Sequence, residues 1–191
     1  DTPVILAPMA GITNKAFRRL CREYGGGLYV TEMVTSRALV ERSPESMRII
    51  EHDDDEAIRS VQLYGVDPVT VGAAIRILVD EDRADHIDLN FGCPVKKVAG
   101  KGAGAGMLQN ILLPDGTIDP DAKLLEITRK VVQATKLPVT VKTRLGWNHE
   151  QLSITALAEQ LQDCGIQALT IHGRTRSQMY TGQADWTLIG E

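Results

Sequence analysis

Six short apolar runs, separated by longer amphipathic segments, constrain this chain more than any other feature. The runs cover residues 4–7, 28–31, 59–63, 86–90, 139–143 and 168–172. They are rich in Val, Ile and Leu, as strands buried on both faces are. Between them lie helical signals. In 14–24, Phe17, Leu20, Cys21 and Tyr24 follow the i, i+3, i+4, i+7 spacing, and Asn14 suits an N-cap. Asp67 and Pro68 open a helix reaching about Val79, and Asp119 and Pro120 repeat that signature before a helix reaching about Thr135. A further helix spans 151–164 and stops at Gly165, and a shorter one covers 36–42. Strand and helix in alternation predict parallel βαβ units with right-handed crossovers.

Two architectures meet that description, a doubly wound sheet and a (β/α)8 TIM barrel. The residues closing the runs separate them: Met9, Glu32, Gln62, Asn90, Lys142 and His172. In a barrel all these strand ends converge on one rim, where barrel active sites lie, whereas a doubly wound sheet concentrates function at one switch point. The barrel is therefore expected. A complete one needs eight units and about 250 residues. The 191 residues supply six and stop at "ADWTLIGE", the start of a sixth helix. The chain reads as one barrel domain over residues 1–191, truncated after about six βα units, with two parallel edges open and poor behaviour expected in isolation. Residues 91–118 read as a structureless stretch long enough for a functional lid.

Composition excludes several classes. No apolar run approaches the roughly 20 residues of a membrane helix. The N-terminus "DTPVILAPMAG" is acidic and lacks the basic start of a signal peptide. Cys21, Cys93 and Cys164 are an odd count without close pairing, which fits a reducing compartment and, with no targeting signal, a cytoplasmic location. Neither they nor the four histidines have metal-ligand spacing, so no metal is expected. A net charge of −4 argues against a wholly basic nucleic-acid surface, though not against a local patch.

Several motifs carry chemistry, each with a plainer alternative. "APMAGITN" leaves the first strand through Pro8 and Met9 and turns at Gly11; Met9 could lie against an aromatic ring or simply pack. Gln62, in "SVQLYG", offers donors and an acceptor to a heterocycle edge, or serves as a structural hydrogen-bonder. Lys142 and Arg144, two apart in "VTVKTRLGW", point the same way, toward a barrel interior that cannot hold an unpaired cation. They imply a nearby anion, unless both are solvated at the rim. His172 in "LTIHGRTR" can hydrogen-bond a ligand or a neighbouring backbone, and Arg174 and Arg176 form a local basic patch suited to phosphate. "GKGAGAGM" lacks a P-loop ending; Gly102, Gly104 and Gly106 suit a mobile lid with Lys96, Lys97 and Lys101 beside it. "EHDDDE", residues 51–56, reads as a solvated loop. Cys93 lies beyond a strand end, between Gly92 and Pro94. A free thiol with a pKa of about 8.5 is mostly protonated at pH 7, so it can act as an acid as naturally as a nucleophile.

In order along the chain, "APMAGIT", "TEM", "SVQLYG", "DLNFGCPVKKV", "VTVKTRLGW" and "IHGRTR" resemble the tRNA-dihydrouridine synthase family, in particular its bacterial B-type branch. The resemblance implies an FMN enzyme on a TIM barrel that reduces tRNA uridines to 5,6-dihydrouridine, with NADPH as reductant. It further implies that Pro8, Met9 and Ala10 line the flavin and that Gln62, Lys142 and His172 contact its ring. Asn90 and Arg144 would hold the uracil or adjoining backbone, and Cys93 would protonate C5 as hydride reaches C6. Lys96, Lys97 and Arg174 are candidate contacts to tRNA. Asn14 stands where the family usually has Asp, and the segment after Cys93 is longer than usual. The family's FMN-phosphate site and helical tRNA-binding domain would lie beyond residue 191, so weak or absent FMN binding is expected of this chain. No obligate protein partner is inferred. Two rival readings are an FMN-barrel reductase of a free pyrimidine and a non-catalytic fragment.

Overall fold

A computed structural model describes residues 4–190; residues 1–3 of the acidic N-terminus and Glu191 of "ADWTLIGE" lie outside them. The elements run β1 (Ile5–Leu6), α1 (Lys15–Glu23), β2 (Leu28–Thr35), α2 (Ser36–Val40), α3 (Pro44–Ile49), β3 (Ser60–Tyr64), α4 (Pro68–Asp80), β4 (His86–Phe91), α5 (Lys96–Ala99), α6 (Lys123–Ala134), β5 (Val139–Arg144), α7 (Ile154–Asp163) and β6 (Ala168–His172). Short 3-10 turns occupy Gly104–Leu108 and Thr187–Ile189. All strands are parallel and hydrogen-bonded in sequence order, β1 through β6. A doubly wound sheet would return to the far side of its first strand. An unreversed order instead gives a curled half-barrel, the architecture of a truncated TIM barrel.

The two faces of this sheet differ in kind. On β4, Ile87, Leu89 and Phe91 alternate with His86, Asp88 and Asn90; on β3, Val61 and Leu63 alternate with Ser60, Gln62 and Tyr64. The apolar set packs with Ile75 and Leu78 of α4, Leu124, Leu125 and Val131 of α6, and Leu157 and Leu161 of α7 into the hydrophobic core. At about 1.5–3 kcal/mol per fully buried aliphatic side chain, this outer layer is the main source of stability. The polar set faces inward. Cross-strand register places Gln62 beside Asp88, Asp88 beside Thr140, and Asn90 beside Lys142. The cations therefore do not enter an apolar barrel core, as the sequence suggested. The interior between β3, β4 and β5 is itself polar.

Further expectations are corrected. The loop 51–56 is not simply solvated: Arg18 of α1 is buried and grips the buried Glu56 at 2.7 and 3.2 Å, while Lys15 and Arg22 pair with Asp53. Lys15, Arg18 and Arg22 share one face of α1, and the carboxylates dock on that face. Consequently the Phe17–Leu20–Cys21–Tyr24 stripe is not the buried one; Leu20 and Tyr24 are exposed. Residues 91–118 are not a structureless lid, because Val98, Ala99, Ala105, Met107 and Leu108 are buried and α5 and the 3-10 turn 104–108 give the segment its backbone hydrogen bonds. The helix after Asp119–Pro120 begins only at Lys123 with Ala122 as N-cap, since Asp119 accepts from Asp121 N in a preceding turn. The 36–42 helix ends at Val40, and the sequence reading missed α3, which Ser43 caps. The helix expected from residue 151 starts at Ile154.

Candidate active site

The carboxyl ends of the strands surround a cleft of about 500 Å³, within the usual range for a small-molecule site. Pro8, Met9, Ala10, Gln62, Asn90, Cys93, Lys142, Arg144 and His172 all line it. Its apolar side is built by the turn after β1. Gly11 adopts φ +75°, a conformation open to glycine, and Thr13 Oγ1 accepts from Met9 N at 3.0 Å. Lys96 and Lys97 are exposed on α5 and stand outside the cleft; Lys97 and Lys101 border a neighbouring depression with Arg37 and Tyr64. Arg174 also lies outside the lining.

Cys93 sits on a turn held from every side. Asn90 Oδ1 accepts from Gly92 N at 3.1 Å and Cys93 N at 2.9 Å. Arg144 Nε donates to Gly92 O at 2.8 Å, and Ala105 N donates to Cys93 O at 3.0 Å. Gly104 makes the last contact possible: at φ +54°, an added Cβ would lie 2.9 Å from Cys93 O and 3.1 Å from Cys93 Cβ. Of the three glycines expected to form a lid, Gly104 instead packs against Cys93, Gly106 packs on the Ala99 backbone and Gly102 is exposed. With the backbone of Gly92 and Cys93 fully engaged, the sulfur is the group left for chemistry. Arg144 Nη1 donates to Thr175 O at 3.0 Å and to Met179 O at 2.8 Å. Asn90 and Arg144 thus hold the cysteine turn, a function their sequence positions alone did not disclose.

The same backbone amides set the polarity of the wall below. Because Asn90 Oδ1 faces N–H groups, its Nδ2 must donate, and it does so to Gln62 Oε1 at 2.9 Å and toward Met33 Sδ at 3.4 Å. Gln62 Nε2 then donates to Asp88 Oδ2 at 2.6 Å. From the other side Thr140 Oγ1 donates to Asp88 Oδ1 at 2.5 Å. The Thr140 oxygen therefore accepts from His86 Nε2 at 3.0 Å, and His86 Nδ1 accepts from Ser60 Oγ at 2.7 Å. Two chains of donors converge on one buried carboxylate. Burial pushes Asp88 above the usual carboxylate range, while the Thr140 and Gln62 hydrogen bonds and the charges of His86 and Lys142 oppose that shift. As a carboxylate it accepts from both chains. His86 is lowered by burial.

Consequently the polar side of the cleft presents donors. Gln62 has its oxygen occupied and one Nε2 hydrogen left over. Lys142 is pushed down by burial, with Asp88 opposing and Arg144 adding to the shift. Asp88, one layer below Lys142, opposes that shift without forming an ion pair with it. His172 is held at about 4 by burial and by the charges of Arg144, Lys142 and Arg174. Its imidazole is neutral at pH 7. Sequence reasoning missed Met33 and Tyr180, both lining the cleft, the latter 5.5 Å from the Arg144 guanidinium. Met33 was hidden by a bulge in β2 that shifts register between Val30 and Met33 and turns Glu32 to the amide of Gly11. His86, Asp88 and Thr140 were also missed, although the alternation in "HIDLNF" carried the signal.

Fold and cleft together define a parallel α/β-barrel protein whose site, at the strand ends, sets N–H donors opposite an apolar turn and beside a lone thiol. The family described as Dihydrouridine synthase (Dus) matches residues 5–191, and the chain belongs to it. It is 44% identical over 198 residues to a probable tRNA-dihydrouridine synthase of Mycobacterium tuberculosis, covering 98% of this chain and 48% of that one. It is 46% and 45% identical over 186 residues to tRNA-dihydrouridine synthase B of Salmonella typhimurium and Escherichia coli, covering 97% of this chain and 54% of each relative. The chain spans about half the length of these relatives. Among the described residues, no helix is long and apolar enough to cross a membrane, and no group of three or more His, Cys, Asp or Glu is placed to hold a metal ion.

Proposed function

We propose that this chain carries the active site of an FMN-dependent tRNA-dihydrouridine synthase. The observation that supports the reading most is the wall of Gln62, Lys142 and His172, with Gln62 and Lys142 presenting donors, beside the immobilised Cys93 turn. Such a wall suits a planar ring whose edge is rich in acceptors, which describes the pyrimidine side of an isoalloxazine. The residues present therefore fit FMN, with Pro8, Met9 and Ala10 on its apolar side and Lys142 opposite any negative charge on the ring. When bound and recharged by NADPH, FMN would supply hydride chemistry for C6 of a tRNA uridine.

The protein's own part is proton supply and placement. Cys93 Sγ–H gives its proton to C5 as the C5=C6 bond is reduced, and the sulfur is reprotonated from solvent. Asn90, Arg144 and Ala105 fix the backbone that carries the sulfur, so the thiol approaches from one direction. The uridine must leave its stack to enter the cleft. The exposure of Lys96 and Lys97 outside the cleft supports a role for them in meeting backbone phosphate.

The test is Cys93→Ala in the full-length chain, with three readouts. Flavin binding and NADPH oxidation should persist while dihydrouridine formation on tRNA falls by at least ~100-fold, the lower end for loss of a general acid. Undiminished product would remove Cys93 as the acid. Activity on free uracil with none on tRNA would replace the substrate.

A further inference from the structure

Arg174 Nη1 lies 3.1 Å from His172 Nε2. A guanidinium has no acceptor and keeps its proton in proteins, so the imidazole nitrogen facing it must be the one with the lone pair. A neutral imidazole carries its single proton on the other nitrogen. We propose that Arg174 is a positioning residue that locks His172 in the Nδ1–H tautomer, so that this side of the cleft delivers a hydrogen-bond donor to the bound ring. The inference deepens the function proposed above and rests on it for the identity of the acceptor.

Three independent features support the assignment. Arg174 is anchored at its other nitrogens: Nε donates to Thr181 O at 3.2 Å and Nη2 to Gly182 O at 2.8 Å. Its donors are turned toward its own loop and the histidine, and its side chain is no part of the cleft lining. His172 does line the cleft, and its Nδ1 has no partner among the described residues. The charges around the ring are Lys142 and Arg144 from β5 and Arg174 from its own loop, all positive, and they oppose a second ring proton. With Gln62 already fixed as a donor by Asn90, an Nδ1–H on His172 makes the wall uniform. The opposite tautomer would set a lone pair toward the same ring edge that Lys142 and Gln62 address with protons.

The experiment is nitrogen NMR of the full-length chain labelled in histidine, with neither cofactor nor tRNA added. His172 is assigned by comparison with His172→Gln. In the unaltered protein at pH 7, Nε2 should resonate as the unprotonated nitrogen and Nδ1 as the protonated one. Arg174→Met keeps the aliphatic stem but removes the donor. A hydrogen bond from a charged group contributes about 1.5–3 kcal/mol, so the ratio of Nδ1–H to Nε2–H should fall by roughly tenfold or more. Arg174→Lys, which retains charge and a donor, should restore part of it. A protonated Nε2 in the unaltered protein overturns the proposal, and so does a ratio unmoved in Arg174→Met. Dihydrouridine formation lost in Arg174→Met with an unmoved ratio would make Arg174 a substrate contact instead. Because the tautomer is read without flavin or RNA, failure of the flavin assignment leaves this measurement standing, and the converse holds too.

Discussion

Replacing Glu56 by alanine should unfold this chain more readily than any surface change of comparable size. Arg18 has a fully buried side chain, and it makes four hydrogen bonds: Nε and Nη2 to the Glu56 carboxylate, Nη1 to Thr13 O at 2.9 Å and Nη2 to Glu51 O at 2.7 Å. Glu56→Ala removes two of these and all of the compensating charge, and the side chain has no path to water. Breaking a buried pair from one side costs about 3–5 kcal/mol. With a urea m-value of about 2 kcal/mol per molar, the unfolding midpoint should drop by roughly 1.5–2.5 M at unchanged m. The assay is urea denaturation of the full-length chain followed by far-UV circular dichroism, at low and at 1 M salt. The loss should persist in salt, because the pair is shielded from ions. Loss of the Arg22–Asp55 contact, whose carboxylate is 74% exposed, should barely register. Arg18→Met combined with Glu56→Leu should recover most of the stability, since neither charge is then stranded. A loss below about 1 kcal/mol for Glu56→Ala would refute the reasoning, as would a double variant no better than the single one. The consequence reaches the cleft, because Thr13, held by Arg18, also accepts from the amide of Met9.

Gly104→Ala should cost about 1–3 kcal/mol through its left-handed backbone and the contact with Cys93 O, and iodoacetamide labelling of Cys93, mapped by mass spectrometry, should change rate as the turn shifts. Asn90→Ala strands the amides of Gly92 and Cys93; product formation should fall further than cofactor affinity, read as separate kcat and Kd changes. Asp88→Ala leaves Gln62 Nε2 and the Thr140 hydroxyl without their acceptor, and a loss of about 1–3 kcal/mol is expected in the same urea assay. His172 titrates at about 4 when folded, against an ordinary value near 6.5. The unfolded chain therefore binds the extra proton first, and this group's contribution to stability declines as pH falls from about 6.5 toward 4. His172→Gln should flatten that part of the pH–stability curve.

The strands were legible because short Val-, Ile- and Leu-rich runs alternate with longer amphipathic segments, whatever the tertiary context. The residues of the cleft were legible because each closes or follows an apolar run. Other features depend on partners far apart in sequence. Nothing local in "EHDDDE" says that Glu56 meets Arg18, 38 positions earlier. Two amphipathic stripes coexist on α1, and only the presence of those carboxylates decides which one turns inward. Lys123 starts α6 although Asp119–Pro120 offers a better cap, because Asp119 is spent on the turn before it.

The direction of hydrogen bonds is the part of the site that no spacing encodes, and it accounts for the polar barrel interior. Donors at the rim require acceptors behind them. An amide fixed with its N–H toward a ligand must pass its oxygen to something, and each step transfers the demand one residue deeper. A barrel filled with branched aliphatics would leave that demand unmet at the second layer, at a cost of a buried unpaired polar group. Here the demand ends at Asp88, which accepts from Gln62 on one side and Thr140 on the other and also offsets the charge of Lys142. The polar column between β3, β4 and β5 is therefore what allows the rim to present donors at all. Asp88, two layers from the thiol and outside the cleft lining, belongs to the site as firmly as Cys93 does.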